Sequence, residues 1–194
     1  MAAPAPAYCR SVSPPPPPWT CRLRALVVPS LLRSPALRVG GFVVVDYTDT
    51  PVGPYREAFT AVALSARSGW VPWMVVDSEA SRAGGREGWG LPKELAVIDT
   101  ELDTEPNPAL STARVLAEGV DLSVTARVAG GRGLPVRLSA QLRQPRRSAA
   151  QVRFTGRARP VVVVLDGTPP QGVRPGRRPG VALDGELRIG PPGS

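Results

Sequence analysis

The sequence predicts a mainly β domain with minor α, built largely from antiparallel strands. Three observations lead there. Short runs rich in Val, Ile, Thr and aromatic residues recur along most of the chain. Gly, Pro and Asx signals separate them at short intervals, the pattern of a barrel or sandwich. Only one stretch, after Asp77, carries helix-start chemistry. The chain has 194 residues, enough for one domain with a core that needs neither disulfides nor metal. Residues 1–18 form an Ala/Pro-rich segment ending in Pro14 to Pro18, expected to be disordered or extended and to add no core. Residues 19–190 are expected to form the single domain.

Arg22 to Val28 reads as the first strand, and Ser30 to Val39 as a short piece interrupted by Pro35. Phe42 to Tyr47 is apolar and β-branched, as a buried strand should be. Thr50 to Pro54 is a turn by composition, Tyr55 to Ser65 a long strand, Ser68-Gly69 a turn, and Trp70 to Val76 the next strand. Asp77 or Ser78 can cap a helix from Glu79 to about Glu87, although Gly84 and Gly85 each cost about 1 kcal/mol in a helix interior. The chain then re-enters extended structure toward Ile98. Ser111 to Ala117, Asp121 to Val128 and Pro135 to Leu142 follow as strands, with turns at Glu118-Gly119 and Gly130 to Gly133. Gln151 to Thr155 and Ala158 to Leu165 come next, then an exposed Pro/Gly/Arg loop from Gln171 to Gly180, then Val181 to Ile189.

Charge and composition exclude several functions. The net charge is +8 and the pI about 10.9, but the arginines are scattered and not interleaved with aromatic residues as a single-strand binder requires. Nucleic acid is therefore not an expected partner. There is no His, which removes His triads and His metal ligands. Cys9 and Cys21 are too few and too widely spaced for a zinc site, and read as free thiols in a reducing, cytoplasmic setting. No apolar run approaches a membrane span, and the first seven residues lack the basic and apolar regions of a secretory signal. No metal or organic cofactor is expected.

The most informative stretch is Gly85 to Glu94, because Lys93 is the only lysine among 24 Lys and Arg. An amine can lose its proton and attack a carbonyl to form a Schiff base, which a guanidinium cannot do. Taken alone, Lys93 reads as a solvated surface residue, as most lysines are. Gly85 to Gly90 spells G-x-x-G-x-G, but without the strand before and helix after that phosphate binding needs; its glycines read as turn and close-approach residues. Glu57 and Glu87 read as ordinary acids, and Trp70, Trp73 and Trp89 as core residues, unless a site gathers them.

Three ordered blocks change the balance: Tyr47 to Glu57, Val71 to Ala80, and Gly85 to Lys93. Together they resemble the acetoacetate decarboxylase family, closely from about Tyr47 to Ile98 and more faintly elsewhere. The resemblance implies a cone-shaped antiparallel β-barrel with short helices, a homo-oligomer, and a small-molecule oxo acid as substrate. It places Lys93 at the Schiff-base lysine, Glu57 at an active-site carboxylate, and Arg24 near an active-site arginine suited to a substrate carboxylate. Trp89, Leu91 and Pro92 would supply apolar walls. The family decarboxylase carries a second lysine after the first, where this chain has Glu94, and a further acid near Val43. An attacking lysine must shed the proton that nearly every solvated lysine carries at pH 7. Burial is the expected means, since Glu94 has the wrong sign and should point away from the site. The implied activity is decarboxylation of a small or medium β-keto acid. Aldol or dehydration chemistry on another oxo acid, and ligand binding without catalysis, are the alternatives.

Overall fold

A computed structural model describes residues 13–34, 36–102, 110–128 and 133–193. Strand β1 (Trp19–Ser34) and β2 (Ala36–Asp49) form a long hairpin, followed by β3 (Tyr55–Ser65) and β4 (Ser68–Val76). Helix α1 (Glu79–Trp89) leads to β5 (Lys93–Leu95) and β6 (Val97–Glu101). The remainder is β7 (Leu110–Ala117), β8 (Val120–Val128), β9 (Leu134–Leu142), β10 (Ala150–Thr168) and β11 (Gly176–Pro192). The fold is mainly β with one short helix, as the sequence predicts.

The pairings close on themselves. β11, β1, β2, β3, β4, β9 and β10 are hydrogen-bonded in succession, and β10 pairs again with β11. Closure removes the free edges that an open sheet would expose. The seam between β4 and β9 is parallel and spans only Ser68↔Gln141 and Gly69↔Leu142. β10 is long enough to serve two neighbours, pairing β9 through Ala150–Ala158 and β8 through Val161–Thr168. β6, β7 and β8 thus extend from the barrel as a second layer.

Strand alternation divides the interior into two cores. One is mostly aliphatic: Leu26, Val28, Phe42, Val44, Ala58, Val62 and Val75 pack against Val115, Leu122, Val124, Val163 and Leu165. The other, on the opposite face of the same strands, gathers Cys21, Leu23, Val45, Tyr47, Tyr55, Met74 and Val76 with Trp19, Trp89 and Leu91.

Several expectations need correction. The two short strands expected at Gln151 and Ala158 are one strand, because Gly156 and Gly185 let β10 and β11 approach where a Cβ would strike backbone. The loop expected over Gln171–Gly180 ends early: Gly176–Gly180 already pairs with Val161–Leu165, and Gly180 lies against Val163 and the Val27 carbonyl. Pairing along β10 outweighs the turn-like composition there. Ser30–Val39 is not a separate piece but the end of the β1–β2 hairpin. The expectations for residues 1–12, Pro35 and the Gly130–Arg132 part of a turn fall outside the described residues. Ser13–Pro18 runs along α1, with Pro14 and Pro17 half-buried beside Gly84 and Gly88. The Trp19 indole N–H donates to the Pro15 carbonyl at 2.8 Å.

Candidate active site

Helix α1 forms because Ser78 caps it: its extended backbone (φ −124°) precedes the first turn, and its hydroxyl accepts from the Ser81 N–H. Gly90 ends it in the left-handed region (φ +69°), donating to the Arg86 carbonyl, while the Leu91 N–H donates to the Gly85 carbonyl. Two interior glycines are tolerated because packing needs them. A Cβ on Gly84 would lie 2.5 Å from the Trp19 ring, and one on Gly85 would lie 2.5 Å from Lys93 Cε. The turn delivers Lys93 into β5, parallel to β4 with Lys93 opposite Met74.

Adjacent residues of β5 then face opposite ways. Lys93 is buried, 2 % exposed, while Glu94 lies on the surface, paired with Arg86 and within 4.0 Å of Arg82. The Arg86 guanidinium also donates to the Lys93 carbonyl at 2.6 Å, holding the β5 entry. On β3, Glu57 is 3 % exposed. Lys93 Nζ donates to Glu57 Oε2 at 2.6 Å and to Ser81 Oγ at 2.8 Å. The Tyr47 hydroxyl donates to Glu57 Oε1 at 3.4 Å, and Nζ stands 5.1 Å from the centre of the Tyr55 ring.

Lys93, Glu57, Tyr47 and Tyr55 border a cavity of about 150 Å³. Trp19, Trp89 and Leu91 line one part, the two indoles meeting edge to face at 5.0 Å. Trp89 is fixed by donating its N–H to the Gly190 carbonyl at 2.8 Å. Phe59, Val71, Met74, Leu142, Val152, Leu187 and Ile189 supply the rest of the apolar wall. Among the described residues lining it, Lys93 and Glu57 are the only charged ones.

Burial shapes the neighbours' acidity. It is the main cause holding the Tyr47 and Tyr55 phenols well above their ordinary range, with Glu57 adding to the effect, so both remain proton donors. Burial, then Glu57, pushes the Cys21 thiol up to about 12. No group of three or more His, Cys, Asp or Glu suited to a metal occurs among the described residues, and none of their helices is long and apolar enough to cross a membrane.

The structure therefore brings Lys93, Glu57 and Trp89 together, and it does not bring Arg24. The β1 residues flanking Arg24, Leu23 and Ala25, face the site core, so Arg24 projects from the other face. There its guanidinium donates to the Leu102 carbonyl at 3.3 Å, and Asp46 is its partner on β2. Trp70 and Trp73 pack against the aliphatic core, and Glu87 is exposed on α1. Sequence reasoning missed Ser81, Tyr47 and Tyr55 as site residues, along with the walls from β9, β10 and β11. Ser81, Gly85 and Trp89 recur at i, i+4 and i+8, the spacing of one helix face, which was available as a signal.

A closed β-barrel with a buried lysine–carboxylate pair beside an apolar cavity defines the class of protein. A family model described as acetoacetate decarboxylase (ADC) matches residues 23–170, and the chain belongs to that family. No curated protein sequence matches significantly. Among solved structures, acetoacetate decarboxylase from Legionella pneumophila subsp. pneumophila str. Philadelphia 1 is similar at 18% identity and TM-score 0.57, over 98% of this chain and 91% of that one. A further acetoacetate decarboxylase structure is similar at 15% identity and TM-score 0.62, over 94% and 90%. The enduracididine biosynthesis enzyme MppR, complexed with the condensation product of pyruvate and imidazole 4-carboxaldehyde, is similar at 13% identity and TM-score 0.55, over 95% and 90%. These likenesses establish a shared fold.

Proposed function

We propose that the protein is a Schiff-base-forming carboxy-lyase that decarboxylates a small β-keto acid through Lys93. One observation carries the proposal: the chain's single lysine is buried against an apolar cavity with Glu57 at 2.6 Å as its proton acceptor. Glu57 takes a proton from the ammonium, and the freed amine attacks the substrate ketone. Glu57 returns that proton as water leaves, which gives a protonated imine. The bond to the carboxylate carbon then breaks, CO2 leaves, and the electron pair moves through the new C=C bond onto nitrogen. Glu57, reprotonated by water, delivers the proton to the enamine carbon, and water hydrolyses the resulting imine to release the ketone and the amine.

The cavity favours this over the alternatives. A space of about 150 Å³ is the size at which an engineered apolar cavity holds benzene, so the substrate is small. A carboxylate that departs as CO2 needs no permanent counter-ion, and an apolar wall suits its loss. An enzyme that retains a substrate carboxylate, for aldol or dehydration chemistry, needs a second cation, and none lines this cavity among the described residues. That second chemistry has one supporting observation, the fold shared with MppR. The same proposal includes a homo-oligomer, with Leu134 and Leu138 exposing apolar side chains on β9, and a cytoplasmic setting for the free, buried Cys21.

The test is borohydride trapping with a panel of β-keto and α-keto acids, read by intact mass. The expected result is one substrate-derived adduct, mapped to Lys93 in the wild-type protein and absent in Lys93→Arg. An adduct only at the α-amino group, or none with any oxo acid, contradicts the proposal.

A further inference from the structure

We propose that Ser81 is the positioning residue of the lysine amine, holding Nζ at the cavity beside Glu57. The inference rests on the reading of Lys93 as the attacking amine.

Ser81 has no exposed surface, and its place is set twice over. Its N–H is held by the Ser78 cap at 3.3 Å, and its Oγ lies 2.8 Å from Lys93 Nζ. One turn later, Gly85 presents bare backbone to Lys93 Cδ and Cε, so the lysine side chain lies along the helix with its tip at Ser81. An ammonium has three N–H donors and no acceptor. Two of them point at Glu57 Oε2 and Ser81 Oγ. The amine left after proton loss has two N–H bonds and one lone pair. Because the proton goes to Glu57, the N–H donated to Ser81 Oγ is the contact that survives proton loss and still fixes Nζ. Lys93 and Tyr55 both line the cavity, with Nζ 5.1 Å from the centre of the Tyr55 ring. Without the hydroxyl, the amine has no fixed acceptor once Glu57 holds the proton, and Nζ is free to turn into the vacated place beside the helix.

Removing Ser81 also removes a hydrogen bond that favours the protonated amine. The other titratable groups facing Lys93 are Glu57 and Tyr55 from β3, Tyr47 from β2 and Cys21 from β1, and the substitution leaves all of them in place.

The experiment compares wild type, Ser81→Ala and Ser81→Thr. Expected for Ser81→Ala is a fall of about 10- to 100-fold in the saturating rate of imine formation, with KM little changed, as misplacement of a reacting group produces. At the same time the half-maximal pH of the rate moves lower, a combination that simple loss of folded protein does not give. Ser81→Thr, which keeps the hydroxyl, restores most of the rate. An independent readout needs no substrate. With 13C-labelled lysine, Lys93 gives the chain's single Cε signal, and its pH titration moves lower in Ser81→Ala. An unchanged titration in Ser81→Ala overturns the proposal. So does an unchanged rate, or a rate lost equally in Ser81→Ala and Ser81→Thr. If wild type forms no adduct, the reading of Lys93 fails, while the lysine titration still decides the role of Ser81.

Discussion

Arg56 and Glu57 are neighbours in the chain and belong to two different ion clusters on opposite faces of β3. Arg56 sits in an open, multiply paired row: Asp46 lies opposite it on β2, Arg24 lies beyond Asp46 on β1, and Asp77 and Thr100 bind its side chain. Its side chain is 40% exposed. Among the described residues Glu57 has a single cationic partner, Lys93, and the pair is shut from solvent. A solvent-exposed pair contributes about 0–1 kcal/mol, whereas removing one member of a buried pair costs about 3–5 kcal/mol. The outer row tolerates loss of a member because water and other charges replace it. The inner pair has no such replacement, since Lys93 and Glu57 are the only charged residues among the described ones that line the cavity.

The largest expected effect is on the inner pair. Glu57→Gln removes the proton acceptor and should lower turnover by about 10²–10⁴-fold, with a smaller change in KM. Stability should fall too, by up to about 3–5 kcal/mol, since Lys93 loses its counter-charge; denaturant unfolding measures this. Gly85→Ala should come next. The added methyl would stand 2.5 Å from Lys93 Cε, so the amine is displaced and trapping falls by about 100-fold, while circular dichroism still reports the folded barrel. Arg24→Met should be far milder, within about 1 kcal/mol of stability and with KM for a β-keto acid unchanged. A large rise in KM would return Arg24 to the site. Smallest is Cys21. With its thiol held at about 12, it should resist iodoacetamide at pH 8 in the native protein and react only after denaturation, as peptide mapping would show.

Much of this contrast was legible in the sequence, and the part that was not has a physical reason. β3 is Tyr55–Ser65, the expected strand: its leading turn is written in Thr50 to Pro54, while the turn that ends it falls at Ala66-Arg67 and the expected turn residues Ser68-Gly69 instead open β4. Lys93 and Glu57 could be paired through the ordered blocks around them. Arg24 was misplaced because an approximate alignment to a family arginine ignores the pleat. Counting by twos from Leu23 and Ala25 puts it on the other face. The glycines at 84 and 85 weakened a helix that in fact runs to Trp89, since propensity cannot see that Trp19 and Lys93 occupy the space a side chain would fill. The walls from Leu187 and Ile189 depend on pairings between residues more than 100 positions apart, such as Cys21↔Leu187, which no local pattern encodes, and Val152 joins them through its pairing with Ile189.

The most direct measurement of the central claim is CO2 release from a small β-keto acid by wild type and Lys93→Arg, against a control without protein. Arg keeps the positive charge beside Glu57 and cannot form an imine. The account predicts release well above the control for wild type and no excess for Lys93→Arg. Equal rates for the two proteins, both above the control, would show that the buried amine does not carry the reaction.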